Sequence, residues 1–208
     1  MIWDMFLPMS GTDLIRKIIR GMRGGTVVLS VLVTTLISPQ NGHASSAKPD
    51  IQEPTAYRQI TYNSPVPQTL NGAVAIATEA AYALWASKRV GFIDVLPHTR
   101  KPANLPKDTF WRSAKRASIP RAVWLPNVGY GQIADSTAQY FKTGLFHITG
   151  GDRTFAIVFF CKRDCWMSWN EAKRAMEYGY ETVFWYREGT DGWHKAALPT
   201  ALAHPYEP

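Results

Sequence analysis

Cysteine is almost missing from this 208-residue chain, which holds only Cys161 and Cys165. With no second cysteine pair, and with His98, His147, His194 and His204 isolated from one another, a structural zinc site has no ligand set. Trp166 rather than a histidine follows Cys165, so the Cys-x-x-Cys-His signature of covalent haem attachment is absent too. No metal or other cofactor is therefore expected. Nor does any block of lysine and arginine interrupt the chain. Its 23 basic and 16 acidic residues are scattered, which describes a solvated basic surface rather than a nucleic-acid footprint. The uncharged run Thr26 to Ser38 falls short of the roughly 20 residues that a membrane-spanning helix needs.

That run has another use. Arg16, Lys17, Arg20 and Arg23 precede it, and the small residues Ala44-Ser45-Ser46-Ala47 follow. Basic, apolar and small residues in that order form the pattern of a secretory signal peptide, here residues 1–47. Asp4 and Asp13 are unusual in such a leader, and initiation at Met9 or Met22 would remove one or both of them. A periplasmic location follows as the expectation, with membrane contact only during export. The remainder, Lys48 to Pro208, is about the size of one domain. An oxidising compartment makes the cysteine pair either a local structural disulfide or a redox-active couple.

Residues 48–70 are rich in Pro, Ser, Thr and Asn without helical period, and read as an extended N-terminal arm. Residues 71–200 then alternate strand and helix signals. A helix is expected over Glu79 to Ser87 with Thr78 as N-cap. A short buried strand over Val90 to Val95 carries Asp94 near its end, where a hydrogen-bonded structural carboxylate is expected. An irregular stretch, Pro97 to Ser118, precedes a strand over Ala122 to Leu125 and a helix over Ile133 to Phe141. Phe155 to Phe160 (FAIVFF) is the most apolar segment of the mature chain and the expected central strand. Met167 to Tyr178 reads as an amphipathic helix with Trp169, Ala172, Ala175 and Met176 inward and Lys173, Arg174 and Glu177 outward. A last strand spans Thr182 to Tyr186. Gly189 and Gly192 punctuate the approach to Trp193, read as a core anchor, and residues 201–208 form a tail. This order predicts an α/β fold, a mostly parallel central sheet with helices on both faces. Functional loops in such sheets leave the carboxyl ends of strands, which points at Cys161.

The loop Cys161-Lys162-Arg163-Asp164-Cys165 joins the most apolar strand to a helix. The positive end of that helix, the charges of Lys162 and Arg163, and a turn of backbone N–H groups would each favour a thiolate at Cys161. Asp164 opposes them. A disulfide across four residues constrains little of the unfolded chain, which favours reactivity over a static cross-link. Cys161 is then the nucleophile and Cys165 a thiol able to resolve it.

Four segments in order resemble the rhodanese family. Phe92-Ile93-Asp94-Val95 is similar to the family's strand ending in Asp-Val-Arg, with Leu96 in place of the Arg. Ser118-Ile119-Pro120-Arg121-Ala122 resembles its Gly-His-Ile-Pro-Gly-Ala segment, and Phe155 to Cys161 the strand that delivers its cysteine. Gly179-Tyr180, Val183-Phe184, Gly189, Gly192, Trp193 and Leu198-Pro199 resemble its closing segment. The resemblance implies a rhodanese-like sulfurtransferase or sulfur carrier. In it Cys161 takes sulfur from a sulfane-sulfur donor as a persulfide and hands it to a thiol acceptor. Lys162, Arg163, Trp166 and Met167 would form the substrate pocket, which the Trp166 indole would narrow. Cys-x-x-x-Cys-Trp also resembles the rhodanese-related PQQ-dependent catabolism-associated CXXCW motif proteins, although three residues rather than two separate these cysteines. That resemblance implies a role beside pyrroloquinoline-quinone-dependent alcohol oxidation, with a quinoprotein alcohol dehydrogenase or its cytochrome as partner. The alternatives are a thiol-disulfide redox protein and a non-catalytic binding module for such a dehydrogenase system.

Overall fold

The computed structural model describes residues 51–99, 104–106, 108–110 and 114–208. The leader expected over residues 1–47 lies outside them, as does part of the stretch between Pro97 and Ser118. In chain order the elements are β1 (Val74–Ile76), α1 (Thr78–Ser87), β2 (Gly91–Asp94), β3 (Arg116–Ser118), β4 (Val123–Trp124), α2 (Asp135–Thr149), β5 (Ile157–Phe160), α3 (Trp166–Glu177), β6 (Val183–Tyr186), α4 (Gly189–Lys195) and β7 (Ala201–Ala203). Five strands pair in the order β1-β6-β5-β2-β4, all parallel, so the most apolar strand, β5, is the middle one.

Alternation along each strand builds two cores, because successive side chains leave a strand on opposite faces. Ile93, Ile157, Phe159, Val183 and Trp185 bury one face of the sheet against Phe141 and Leu145 of α2 and Trp169, Ala172 and Ala175 of α3. Phe92, Val158, Phe160 and Tyr186 bury the other face against Ala81 and Trp85 of α1 and Trp193 of α4. Helices thus cover both faces, as the alternating order implied. Trp193 is fully buried, and its indole N–H donates to the Pro199 carbonyl at 2.6 Å. Among the described residues no helix is long and apolar enough to cross a membrane.

Several elements differ from the sequence reading. The stretch expected to be irregular through Ser118 ends in β3, which pairs antiparallel with β7 inside the expected tail. Such a pairing across more than 80 residues leaves no local signal. α2 runs to Thr149 instead of stopping at Phe141, because Thr143 and Gly144, both weak helix formers, hide its continuation. Gly144 is needed there: a Cβ would lie 2.6 Å from the Leu125 side chain. The N-cap of α1 is Ala77, not Thr78. The Thr78 amide and hydroxyl both donate to the Glu188 carboxylate instead. Gly189 and Gly192, read as punctuation before Trp193, lie inside helix α4.

The largest departure is Arg174, expected on the outer face of α3 but only 4% exposed. α3 lies between the sheet on one side and the 128–131 loop and N-terminal arm on the other, so it has little solvent face. Arg174 donates to the carbonyls of Val128, Tyr130 and Gly131 and to Glu171. Glu171 is fully buried, and its Oε1 has no hydrogen-bond partner. Burial pushes its carboxyl up to about 8 from an ordinary 4.5, against the pull of Arg174. Between those values the folded chain holds a proton that the unfolded chain has lost, so this group's contribution to stability falls as pH rises through that window. Glu171→Gln, which cannot ionise, should therefore gain on the wild type as pH is raised from 5 to 9. Urea denaturation at both pH values checks it, and a constant difference between the two proteins would contradict it.

Candidate active site: the cysteine loop

Cys161 directly follows the last residue of β5, at the carboxyl edge of the sheet. Its main chain is held from three directions. The Thr190 amide and hydroxyl donate to the Cys161 carbonyl at 3.0 and 3.2 Å, and Arg116 Nη2 donates to it at 3.3 Å. Arg116 is itself fixed by Asp94, whose carboxylate accepts from its Nε at 2.8 Å and its Nη2 at 3.1 Å. Asp94 also accepts from Ser118 Oγ at 2.5 Å and from the Leu96 amide at 3.0 Å, and it is fully buried. The carboxylate at the end of β2 is thus the root of a chain of contacts reaching the cysteine backbone.

The loop itself is pinned at both ends. Lys162 bridges antiparallel to Gly189, and the Arg163 amide donates to Asp191 Oδ2 at 3.0 Å. Asp164 takes the left-handed conformation, φ 53°, which aspartate tolerates better than most residues. Cys165 is the N-cap residue of α3, so the positive end of that helix meets the cysteine pair directly. Cys161 and Cys165 are joined as a disulfide with Cα atoms 6.2 Å apart, within the ordinary range. Among the described residues no group of three or more His, Cys, Asp or Glu side chains is placed to hold a metal ion.

The arm closes the site. Cys161 is fully buried and Cys165 only 5% exposed. Asn63 forms an antiparallel bridge with Cys165, and the Trp166 amide donates to the Tyr62 carbonyl at 2.8 Å. The Trp166 indole N–H donates to Ser64 Oγ at 3.0 Å and the Pro65 carbonyl at 3.1 Å, while the Arg58 guanidinium sits 5.1 Å over its ring. Farther along, Asn170 takes both the amide and the carbonyl of Arg58 and also the Gly129 carbonyl.

Of the expected pocket residues, then, Trp166 and Met167 are buried beneath the arm and the 128–131 loop, whereas Lys162 and Arg163 keep partial exposure. Arg163 borders a cavity of about 340 Å³ with Thr78, Glu188 and Lys195, and its guanidinium lies 3.9 Å from Glu188. The Thr78 contact, followed by Arg163, holds the Glu188 carboxyl below its usual range. Arg116, Thr190, Asp191 and Glu188 were not singled out from the sequence, and the arm was expected to lie over the domain without its partners at the cysteine loop being named. For Gly189 to Asp191 a signal existed: they follow the strand beside β5 at the same sheet edge. For Arg116 there was none.

Gly189 tests how tightly the loop is set. Its φ is 50°, and a Cβ there would lie 2.6 Å from the Cys161 carbonyl oxygen. Gly189→Ala must push the cysteine backbone away from Thr190, at a cost of about 1–3 kcal/mol for overpacking and strain. Faster reduction of the disulfide by dithiothreitol is the expected readout, and an unchanged rate would show that the carbonyl anchor does not govern the loop.

No protein-family model matches the sequence, and no curated protein does. Solved structures similar to the chain include a thiosulfate sulfurtransferase from Pseudomonas aeruginosa, at 15% identity and a TM-score of 0.42 over 64% of this chain. This chain spans only 21% of that protein's length. A polysulfide-sulfur transferase homodimer from Wolinella succinogenes aligns at 21% identity and a TM-score of 0.40, covering 62% of this chain and 79% of that one. An uncharacterized protein from Saccharomyces cerevisiae aligns at 15% identity and a TM-score of 0.35, covering 60% and 92%.

Proposed function

We propose that the chain is a rhodanese-like sulfurtransferase or sulfur carrier whose oxidised resting form is the Cys161–Cys165 disulfide. The observation that carries this is the placement of two cysteines, Cα atoms 6.2 Å apart, between the central parallel strand and the start of α3. Once an external dithiol has reduced the pair, becoming a disulfide itself, the Cys161 thiolate attacks the outer sulfur of a sulfane donor. With thiosulfate, a sulfur–sulfur bond to Cys161 forms, the donor's bond breaks and sulfite leaves. An external thiol then takes the outer sulfur, or the Cys165 thiol attacks Cys161 Sγ, expels hydrosulfide and restores the disulfide. Arg163 and Lys195 line a cavity next to the loop and would draw an anionic donor toward it, with Glu188 in the same lining offsetting part of their charge.

The periplasmic location and the service to pyrroloquinoline-quinone-dependent alcohol oxidation, with a quinoprotein dehydrogenase or its cytochrome as partner, belong to this proposal through the motif resemblance. The joined and buried cysteines also support a second reading, a thiol-disulfide protein that never holds sulfane sulfur. Intact mass of the reduced chain after thiosulfate or polysulfide separates the two. A gain of one sulfur that reductant removes supports sulfur transfer, whereas simple return to the disulfide supports the second reading.

A further inference from the structure

The arm covers both cysteines, leaving Cys161 fully buried and Cys165 5% exposed, yet it is fastened in a way that another polypeptide could copy. Most of its contacts with the site go through main-chain groups. The carbonyls of Tyr62 and Pro65 accept from Trp166, the backbone of Asn63 bridges Cys165, and the amide and carbonyl of Arg58 engage Asn170. Any extended polypeptide offers those groups, whatever its side chains. The side chains of Gln59, Ile60, Thr61, Asn63 and Pro65 are largely exposed. Thr61 is held at φ 52°, an unfavourable conformation for a β-branched residue.

We propose that the groove filled by residues 58–65 is a docking site for an extended, cysteine-bearing segment of a partner dithiol protein, and that the arm is its built-in stand-in. The proposal rests on the reading that the cysteine pair is chemically active, and it supplies the reduction that the sulfur cycle needs. The register names the atom attacked. Directly opposed residues of an antiparallel pair project their side chains to the same face, with Cβ atoms about 4.5–5.5 Å apart. A partner cysteine in the place of Asn63 therefore lies beside Cys165. Its thiolate bonds to Cys165 Sγ, the bond to Cys161 breaks, and Cys161 leaves as thiolate. The partner's second thiolate then attacks the partner sulfur of the mixed disulfide and displaces Cys165 as thiolate. Two partner thiols have become one disulfide, one disulfide here has become two thiols, and the partner's protons pass to solvent and back.

Two measurements on the full chain test this. In Asn63→Cys, equilibrated in a glutathione redox buffer and mapped by proteolysis and mass spectrometry, the introduced thiol should form a disulfide with Cys165 and leave Cys161 a free thiol that iodoacetamide labels once the chain is denatured. Ile60→Cys, at a position 71% exposed, should form no such bond. The second uses a synthetic peptide of residues 58–67 with cysteine in place of Asn63, activated as its 2-nitro-5-thiobenzoate disulfide. It should react with Cys165 of the Cys161→Ser chain at least about tenfold faster than an equally activated tripeptide of residues 62–64 with the same cysteine, which lacks the flanking main-chain groups. Retention of the native disulfide in Asn63→Cys, or equal peptide rates, would overturn the docking site. Persulfide formation on wild-type Cys161 is read separately by mass. A chain that gains sulfur but does not discriminate the peptides loses only the docking site. One that discriminates them but never gains sulfur keeps the docking site and loses the sulfur chemistry.

Discussion

Reduced Cys165→Ser protein exposed to thiosulfate should gain one sulfur and keep it, whereas reduced Cys161→Ser should gain none. The asymmetry comes from position. Cys161 ends the central strand with its carbonyl held by Thr190 and Arg116, while Cys165 opens α3 within disulfide reach of it. In the wild type a persulfide on Cys161 faces an internal thiol whose effective concentration exceeds that of millimolar external thiol. Removing that thiol should lengthen the persulfide's lifetime on the order of 100-fold. Wild type should correspondingly release hydrosulfide and return to the disulfide, so sulfide release and intact mass followed in parallel report both halves of the cycle. Sulfur on Cys165 in the Cys161→Ser protein, or equal lifetimes in wild type and Cys165→Ser, would remove the assignment of nucleophile and resolving thiol.

The location of this pair is legible in the sequence because it depends on local signals. A run as apolar as FAIVFF has few places to go except the middle of a parallel sheet, and the loop after such a strand must emerge at its carboxyl edge. The amphipathic pattern likewise placed Trp169, Ala172 and Ala175 in the core. That pattern assumes one dry face and one wet face, and α3 has scarcely any wet face. The rule therefore put Arg174 outside, when three backbone carbonyls and Glu171 hold it inside. An extended arm over the domain was legible, but that it lies on the cysteine loop was hidden for a related reason. Residues 51–70 carry no periodicity, and what fixes them is hydrogen bonding to the amide and indole of Trp166, about 100 residues away.

Long-range dependence is greatest at Asp94, and Asp94→Ala is expected to cost about 3–5 kcal/mol, the range for breaking a buried ion pair by removing one partner. The carboxylate has no solvent exposure and accepts from Arg116 twice, from Ser118 and from the Leu96 amide. Truncation leaves a guanidinium whose side chain is only 11% exposed without its counter-charge. For a domain of this size the loss corresponds to a fall in Tm of about 10 °C. Asp94→Asn keeps one acceptor oxygen and the side-chain volume, so it should cost less, about 1.5–3 kcal/mol. The damage should also reach the loop, because Arg116 Nη2 is one of the three donors on the Cys161 carbonyl. The disulfide of Asp94→Asn should therefore yield to dithiothreitol faster than that of wild type at equal temperature. The decisive comparison is the double variant Asp94→Ala with Arg116→Ala. If the penalty is the stranded charge, removing Arg116 as well should recover part of the stability lost by Asp94→Ala alone. A double variant less stable than Asp94→Ala would show that Arg116 stabilises the fold through its other contacts, and the chain of support from β2 to the cysteine would have to be redrawn.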